Sequence, residues 1–359
     1  MAIAVGLFVG FLILLFSNPA QAPAGFGAVL TGGFSDMKNL GQTLYFAVPI
    51  ILTGLSVAFS MKTGLFNIGA SGQFVVGAYA AILVGVKCTF LPGHTHWIVA
   101  LLAALAAGAL WGAVPGLLKA YRNVNEVITC IMMNYVGMHL VNYLIVRTVF
   151  DPLKNQTMRV AASANLPKMG FDAIFRVGNN VSGANSGVLV ALLMAVVLWV
   201  ILQKTKLGYE LKACGLNEKA ARYAGIDAHS GIVISMMISG AMAGLGGALL
   251  YLSGSGNGIS VADVLAKEGF NGIPVALLGL NHPIGVVAAG LFVSCLTVGG
   301  FNMQLYEFAP EVIEIMIAVI IYFSAFALLL QGFLRSRGHR FRAKAASGAF
   351  LDAEEAKRE

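Results

Sequence analysis

Two long apolar runs of this chain are separated by a polar loop, Gln203-Lys-Thr-Lys-Leu-Gly-Tyr-Glu-Leu-Lys-Ala-Cys-Gly215-Leu-Asn217-Glu-Lys-Ala-Ala-Arg222-Tyr-Ala-Gly225-Ile-Asp227. Residues 187–202 before the loop and residues 230–252 after it carry no charged side chain. A helix needs about 20 apolar residues to cross the hydrocarbon core of a bilayer. The two runs therefore predict membrane segments joined by a loop in water.

The rest of the chain repeats this pattern. Of its 359 residues, 58% are hydrophobic and 11% are charged, whereas a soluble protein carries roughly a quarter charged residues. The apolar runs are continuous rather than alternating, which excludes a β-barrel and predicts an all-α polytopic membrane protein. We expect eight to ten segments, some broken or re-entrant, at about 2–17, 43–60, 70–87, 96–118, 124–147, 187–203, 230–252, 268–280, 283–300 and 311–332.

The placement of basic residues predicts the orientation of these segments. The net charge of +7 is concentrated in a few loops and the tail, which is typical of a membrane protein and not of a nucleic-acid-binding protein. We expect the 203–231 loop and the basic tail, 335–359, to face the cytoplasm, and the long 148–186 loop to face the other side. The chain then has one transmembrane domain, 1–334, and a cytoplasmic tail.

A short helix is predicted inside the 203–231 loop. Asn217 is a suitable N-cap, Glu218 lies favourably at the positive end of the helix dipole, and Gly225 can adopt the left-handed conformation that ends a helix. A helix of about two turns is too short to persist alone in water. Its Ala220-Ala221 pair offers a smooth surface, so we interpret the helix as a docking element for a partner. The alternative is an ordinary connecting loop with a helical turn.

Three further stretches place polar side chains where apolar ones are expected. They are Gly64-Leu-Phe-Asn67-Ile-Gly69-Ala-Ser71-Gly72-Gln73, the Asn125–Tyr135 block with Asn134, and Glu268-Gly-Phe-Asn271-Gly-Ile-Pro274. A broken helix whose polar groups face a cavity is a recurring way to build a transport site. We therefore predict that Asn67, Ser71, Gln73, Asn134 and Asn271 line a solute path. Close packing of small residues is the alternative for the first stretch.

Some features point away from chemistry in this chain. The small residues of Gly240-Ala-Met-Ala-Gly244-Leu-Gly246-Gly247, and the Gly112/Gly116 pair, predict close helix packing. The sequence has no phosphate-binding loop, no metalloprotease signature and no ladder of buried acids. We predict no catalytic residue, no metal site and no bound cofactor, so that any energy for transport comes from another subunit.

Three blocks of the sequence resemble a known family. Phe66-Asn-Ile-Gly-Ala-Ser-Gly-Gln73, Gly215-Leu-Asn217-Glu-Lys-Ala-Ala-Arg-Tyr-Ala-Gly-Ile226 and Gly269-Phe-Asn-Gly-Ile-Pro-Val-Ala-Leu-Leu-Gly279 are similar to the membrane subunits of bacterial ATP-binding-cassette importers for branched-chain amino acids, simple sugars and nucleosides. The block Asn125-Glu-Val-Ile-Thr-Cys-Ile-Met-Met-Asn-Tyr135 is most similar to the nucleoside and simple-sugar branch. One departure is Ser71, where the family usually has an acidic residue.

The resemblance implies that transport requires several different subunits. The coupling segment would insert into a cytoplasmic ABC ATPase that binds ATP and Mg²⁺, through Gly215, Asn217, Glu218, Ala220, Ala221, Arg222, Tyr223 and Gly225. A second, homologous permease subunit, often forming a heterodimer, would complete the path, and a periplasmic or lipoprotein solute-binding protein would deliver the solute. The expected location is the bacterial inner membrane, and the expected solute is a nucleoside in first place, with a simple sugar as the second choice.

Two other functions compete with this interpretation. An ion-coupled secondary carrier with broken helices would transport solute without an ATPase. An intramembrane enzyme would need a catalytic constellation, which the sequence lacks. Reconstitution with and without an ATPase distinguishes the carrier from the importer subunit.

Overall fold

The structure of the protein is a computed structural model that describes residues 2–309, 311–320, 322 and 323. Its helices are α1 (Ala2–Ser17), α2 (Ala22–Thr31), α3 (Met37–Lys62), α4 (Ala70–Lys87), α5 (Gly93–Arg122), α6 (Glu126–Thr148), α7 (Phe171–Ile174), α8 (Gly187–Lys204), α9 (Lys206–Leu216), α10 (Glu218–Tyr223), α11 (Ala228–Tyr251), α12 (Lys267–Leu278) and α13 (Pro283–Met303). Residues 311–320 are also helical. Two small antiparallel hairpins pair β1 (Phe150–Asp151) with β2 (Gln156–Thr157), and β3 (Arg176–Val177) with β4 (Asn180–Val181).

Seven of the helices in the described part, α3, α4, α5, α6, α8, α11 and α13, are long and apolar enough to cross a bilayer. Each overlaps a predicted segment, and the prediction of an all-α polytopic membrane protein is confirmed. The first predicted segment is the 16-residue α1, which at about 1.5 Å per residue is shorter than a bilayer crossing of about 30 Å. The predicted 311–332 segment lies partly, and the 335–359 tail wholly, outside the described residues.

Small residues hold the helix bundle together, as the sequence predicted. α5 and α11 cross so closely that a Cβ added at Gly240 would lie 3.1 Å from the Gly112 Cα, and one added at Gly244 would lie 3.0 Å from the Gly108 Cα. Such close approach lets two helices gain dispersion contacts that larger side chains would prevent. The bundle is organised around α3, in which every residue from Ala47 to Ser60 is buried.

Two irregular stretches of chain connect helices within the described residues. Residues 63–69 connect α3 to α4 and include the fully buried Asn67. Residues 252–266 run from α11 to α12, and within them the Ala262 carbonyl accepts a hydrogen bond from Asn142 of α6 at 3.0 Å. The eighth predicted segment, 268–280, is the 12-residue α12. Irregular backbone of this kind is tolerated in a membrane protein only where protein or water satisfies its polar groups.

The loops divide between two sides of the bundle. One side carries α9 and α10, the 63–69 stretch and the α5–α6 turn. On this side the Tyr121 ring at the end of α5 stacks on His229 at the start of α11, with ring centroids 5.4 Å apart. On the opposite side lie the two hairpins, where the Leu166 N–H donates to the Leu252 carbonyl at 2.9 Å. We call these the α10 side and the hairpin side.

Candidate functional site

The polar loop folds into two helices, one more than the sequence predicted. α9 begins at Lys206, where the Thr205 hydroxyl caps it by accepting a hydrogen bond from the Gly208 N–H at 3.1 Å. α10 begins as predicted, because the Asn217 side chain accepts a hydrogen bond from the Ala220 N–H at 3.1 Å. Gly225 follows the helix with a φ of +80°, a conformation that glycine adopts without strain.

The outer surface of α10 is open to solvent. Leu216 is 89% exposed and Tyr223 is 94% exposed, so two large apolar side chains meet water at the two ends of this short helix. Ala220 is exposed, but Ala221 is buried. The smooth surface predicted for the Ala220-Ala221 pair is therefore supplied by Ala220 alone, because neighbouring residues of a helix point about 100° apart.

Arg222 links α10 to the bundle. The Arg222 Nη2 lies 2.7 Å from the Glu218 Oε1 one turn earlier and 3.2 Å from the Nε2 of His229. Since His229 also stacks on Tyr121, the guanidinium connects α10 to the ends of α5 and α11. Arg222 thus positions the helix in addition to presenting charge at its surface.

Asp227 is the N-cap of α11. The Asp227 carboxylate accepts hydrogen bonds from the His229 N–H at 3.0 Å and from the Ser230 hydroxyl at 2.5 Å. The hydrogen bond from the Ser230 side chain, followed by those from the backbone, lowers the pKa of Asp227 below its ordinary value. The carboxylate therefore stays charged at neutral pH and fixes the turn between α10 and α11.

The end of α9 rests on the chain between α3 and α4. A Cβ added at Gly215 would lie 2.6 Å from the Thr63 carbonyl oxygen and 2.6 Å from the Gly64 nitrogen. Two backbones are therefore in direct contact, with no side chain between them. A cavity of about 220 Å³ lies beside this contact, and the Lys119 and Glu126 ion pair, at 3.0 Å, is part of its lining.

The 63–69 stretch is held from inside by a buried polar cluster. Asn67 donates from Nδ2 to the Gln73 Oε1 at 2.7 Å and to the Ser239 hydroxyl at 2.7 Å. The Gln73 Nε2 donates back to the Asn67 Oδ1 at 3.2 Å, and Ser239 donates to the Ser56 carbonyl at 2.7 Å. These bonds join the unwound stretch to α3, α4 and α11.

Asn134 and Ser71 satisfy open backbone in the same region. The Asn134 side chain accepts from the Gly72 N–H at 2.8 Å and donates to the Ile68 carbonyl at 3.0 Å. The Ser71 hydroxyl donates to the Ala266 carbonyl at 2.9 Å, which joins the start of α4 to the start of α12. Each amide or hydroxyl thus replaces a backbone partner that an unbroken helix would have supplied.

The five predicted path residues therefore separate into two groups. Asn67, Ser71, Gln73 and Asn134 are at most 1% exposed, so in this conformation they are closed to solute and hold the chain around the break. Asn271 is exposed on α12 and lines a cavity of about 410 Å³. Lys267, Phe301 and Glu314 share that cavity and were not among the predicted site residues. Glu314 lies within the predicted 311–332 segment and Lys267 directly precedes the predicted 268–280 segment, so their charges were the signal that could have indicated these two residues, whereas Phe301 carried no such signal.

Comparison with known proteins shows that this chain matches a family of membrane transport proteins. The family model described as branched-chain amino acid transport system / permease component matches residues 39–325. The guanosine ABC transporter permease protein NupP of Bacillus subtilis is 42% identical over 341 residues, which cover 94% of this chain and 96% of the relative. The nucleoside ABC transporter permease protein NupB of Lactococcus lactis is 33% identical over 337 residues, or 92% of this chain and 90% of the relative.

Other relatives extend the comparison. The glucose ABC transporter permease protein TsgB13 of Haloferax volcanii is 34% identical over 329 residues, 90% of this chain and 85% of the relative. Bacillus subtilis and Lactococcus lactis each have a second, less similar permease, NupQ at 27% and NupC at 26% identity, which indicates a transporter with two permease subunits. No solved structure matches significantly. This chain belongs to the branched-chain amino acid transport system permease component family, and it is a membrane permease subunit of an ABC transporter rather than an enzyme.

Proposed function

We propose that this chain forms one half of the membrane path by which a nucleoside enters the cytoplasm, driven by a separate ATPase that binds α10. The permease names of the relatives, for guanosine and for nucleosides, support this solute class over the glucose of a third relative. The exposed amide of Asn271 suits a neutral polar solute, because it can hydrogen-bond hydroxyls and base edges without a buried charge.

One observation supports the coupling role most strongly. α10 presents an exposed surface around Ala220 and Tyr223, and the α9 residue Gly215 rests directly on the backbone of residues 63 and 64. Because the exposed six-residue α10 directly follows α9, which is in backbone contact with the bundle, the pair of helices can transmit a displacement from a bound partner into the bundle. Gly215, Asn217, Glu218 and Gly225 would keep this helix in place, and Ala221 and Arg222 would anchor it.

The remaining parts of the transporter follow from this role. A cytoplasmic ABC ATPase would bind ATP and Mg²⁺, neither of which this chain is proposed to hold. A homologous second permease would form the other wall of the path, and a periplasmic or lipoprotein solute-binding protein would dock on the hairpin side. The complex would lie in the bacterial inner membrane with the α10 side toward the cytoplasm, which agrees with the basic residues of α9 and α10.

We propose two roles for the predicted path residues. Asn271 contacts the solute directly, because it is the exposed member of the set. Asn67, Ser71, Gln73 and Asn134 keep the 63–73 region in its broken conformation, so that movement of α10 can change the shape of the path. Their buried hydrogen bonds support this division.

The coupling role is tested by placing a bulky charge on α10. In the Ala220→Glu variant we expect membrane insertion to persist while co-purification of the ATPase and ATP-driven nucleoside uptake fall at least tenfold. The matched control is Ala173→Glu, which changes an exposed alanine on the hairpin side and should leave ATPase co-purification unchanged. Normal uptake by the Ala220→Glu variant would contradict the proposal.

A further inference from the structure

A cavity of about 410 Å³ lies between α12, α13, residues 311–320 and the middle of α3. Small-molecule sites in proteins commonly enclose about 300–1,000 Å³, so its size suits one small solute. It is separate from the 220 Å³ cavity beside α9 and from the buried cluster around Asn67. The proposed function assigns solute contact to Asn271 alone and gives the other residues of this cavity no role.

Charged and polar groups form part of the cavity lining. Lys267 at the start of α12 lies 3.5 Å from Glu314, measured from Nζ to Oε1. Asn271 lies one turn further along α12, and among the described residues its side chain makes no hydrogen bond. Gly272, the next residue, packs against the backbone of Thr53, well inside α3. Ionic and amide groups at that depth face protein or water rather than lipid tails, because desolvating them in hydrocarbon is costly.

Aromatic rings form another part of the lining. Phe270 and Phe301 both contribute to the wall, and the Phe301 ring is 47% exposed. Phe46 supports that ring from α3, with the two ring centroids 5.7 Å apart. An exposed aromatic face held from behind is a surface on which a planar heterocycle can stack, as nucleic-acid bases stack on phenylalanine in proteins that bind single strands.

We propose that this cavity is a solute subsite for a nucleoside, with the base against Phe270 and Phe301 and the polar groups of the solute on Asn271 and Glu314. An amide both donates and accepts hydrogen bonds, and a carboxylate accepts them from hydroxyls or from base N–H groups. Lys267 balances the charge of Glu314 when no solute is present. This inference rests on the proposed import of nucleosides and assigns the solute a position within the chain.

The position of the cavity connects it to the coupling segment. A Cβ added at Gly269 of α12 would lie 2.6 Å from the Ser71 nitrogen, and Ser71 also hydrogen-bonds to Ala266. The start of α12, which carries Lys267 and Asn271, therefore rests on the start of α4. Because the 63–69 stretch that precedes α4 contacts Gly215, a displacement of α9 would reach the wall of the subsite through two backbone contacts.

Cysteine protection tests the subsite in the assembled transporter. The partly exposed Cys88 and Cys214 are first changed to serine, and Asn271→Cys is introduced into the complex of both permeases, ATPase and binding protein. We expect saturating guanosine to slow alkylation of this variant by N-ethylmaleimide at least fivefold. Leu153→Cys, at a side chain that is 95% exposed on the hairpin side, is the control; labelled without the binding protein, which is proposed to dock on that side, it should react equally fast with and without guanosine.

Further variants provide a second probe of the cavity and test the role of Glu314. If the Asn271→Cys variant does not assemble, Thr297→Cys probes another residue of the same cavity. Adding Glu314→Gln should raise the guanosine concentration for half-protection about tenfold, since a hydrogen bond to a charged group contributes about 1.5–3 kcal/mol. Glu311→Gln changes an exposed neighbour on the same helix and should leave that concentration unchanged.

Three outcomes would contradict the subsite, and one of them would also contradict the import function. Guanosine uptake by the unmodified complex without protection at residue 271 or 297 would overturn the subsite and leave the import function standing. Protection by added phospholipid but not by guanosine would identify a lipid groove and also overturn the subsite. Absence of ATP-driven guanosine uptake by the unmodified complex would overturn the import function and the subsite together.

Discussion

Replacing Gly215 with alanine disturbs the contact through which α9 rests on the bundle. The added Cβ would lie 2.6 Å from both the Thr63 carbonyl oxygen and the Gly64 nitrogen, whereas ordinary contacts begin at 3.4 Å. The Thr63 carbonyl carbon lies closer still, so the two backbones must separate by roughly 1 Å, and no side-chain rotation can relieve the clash because these neighbours are main-chain atoms. Overpacking of this kind costs about 1–3 kcal/mol.

We expect the Gly215→Ala variant to lose the coupling between the ATPase and uptake, while the surface that binds the ATPase stays intact. The outer face of α10, with Ala220 and Tyr223, does not take part in the strained contact, so the ATPase should still co-purify with the Gly215→Ala variant. ATP-driven uptake should fall about tenfold or more, because the displaced α9 no longer bears on the 63–69 stretch. Thermal unfolding in detergent should occur several degrees lower than in the unmodified protein.

The matched control is Gly27→Ala, since a Cβ at that position meets no atom within 4 Å. It should leave uptake and unfolding temperature unchanged, which separates the contact at Gly215 from the general effect of removing a glycine. Uptake by Gly215→Ala at the level of Gly27→Ala would refute the claim that this backbone contact carries the movement.

Three further predictions follow from the site. Asn67→Ala removes the hydrogen-bond partner of both polar atoms of Gln73. It should destabilise the fold by about 1–3 kcal/mol for each buried group left unpaired, measured as thermal unfolding. Asn217→Ala removes the cap of α10 and should weaken ATPase co-purification through a cost of about 1 kcal/mol in helix stability, with Asn217→Asp as the variant that keeps a cap. Because the hydrogen bond from Ser230 lowers the pKa of Asp227, its stabilising effect is present above the ordinary aspartate pKa and lost as the pH falls through the lowered one. The difference in unfolding temperature from Asp227→Asn should be constant near neutral pH and disappear only in strong acid.

Most of the helical architecture could be predicted because apolar runs of bilayer length have few alternative structures. α10 was also predictable, since Asn217 and Gly225 mark its two ends within the sequence. α9 was missed because its lysines indicated a loop. The Leu207 and Leu211 pair, one turn apart, was the signal of a helix with one face against the bundle, and Leu211 is buried.

The direction of a polar side chain was not predictable in the same way. Asn67 and Asn271 both interrupt apolar sequence, yet Asn67 is fully buried in a hydrogen-bond cluster and Asn271 is exposed. The difference depends on which neighbouring backbone is unwound, and only tertiary packing determines that. The pairing of Lys267 with Glu314 is likewise invisible in the sequence, since 47 residues separate them.

The division of work between this chain and a separate motor is tested most directly by reconstitution in lipid vesicles. The two permease subunits are incorporated with and without the ATPase, and guanosine uptake is measured with the binding protein present, either with ATP or under an imposed proton or sodium gradient. We predict ATP-dependent uptake only when the ATPase is present, and none under an ion gradient without it. Gradient-driven uptake in vesicles that lack the ATPase would contradict the account and identify the chain as a self-sufficient carrier.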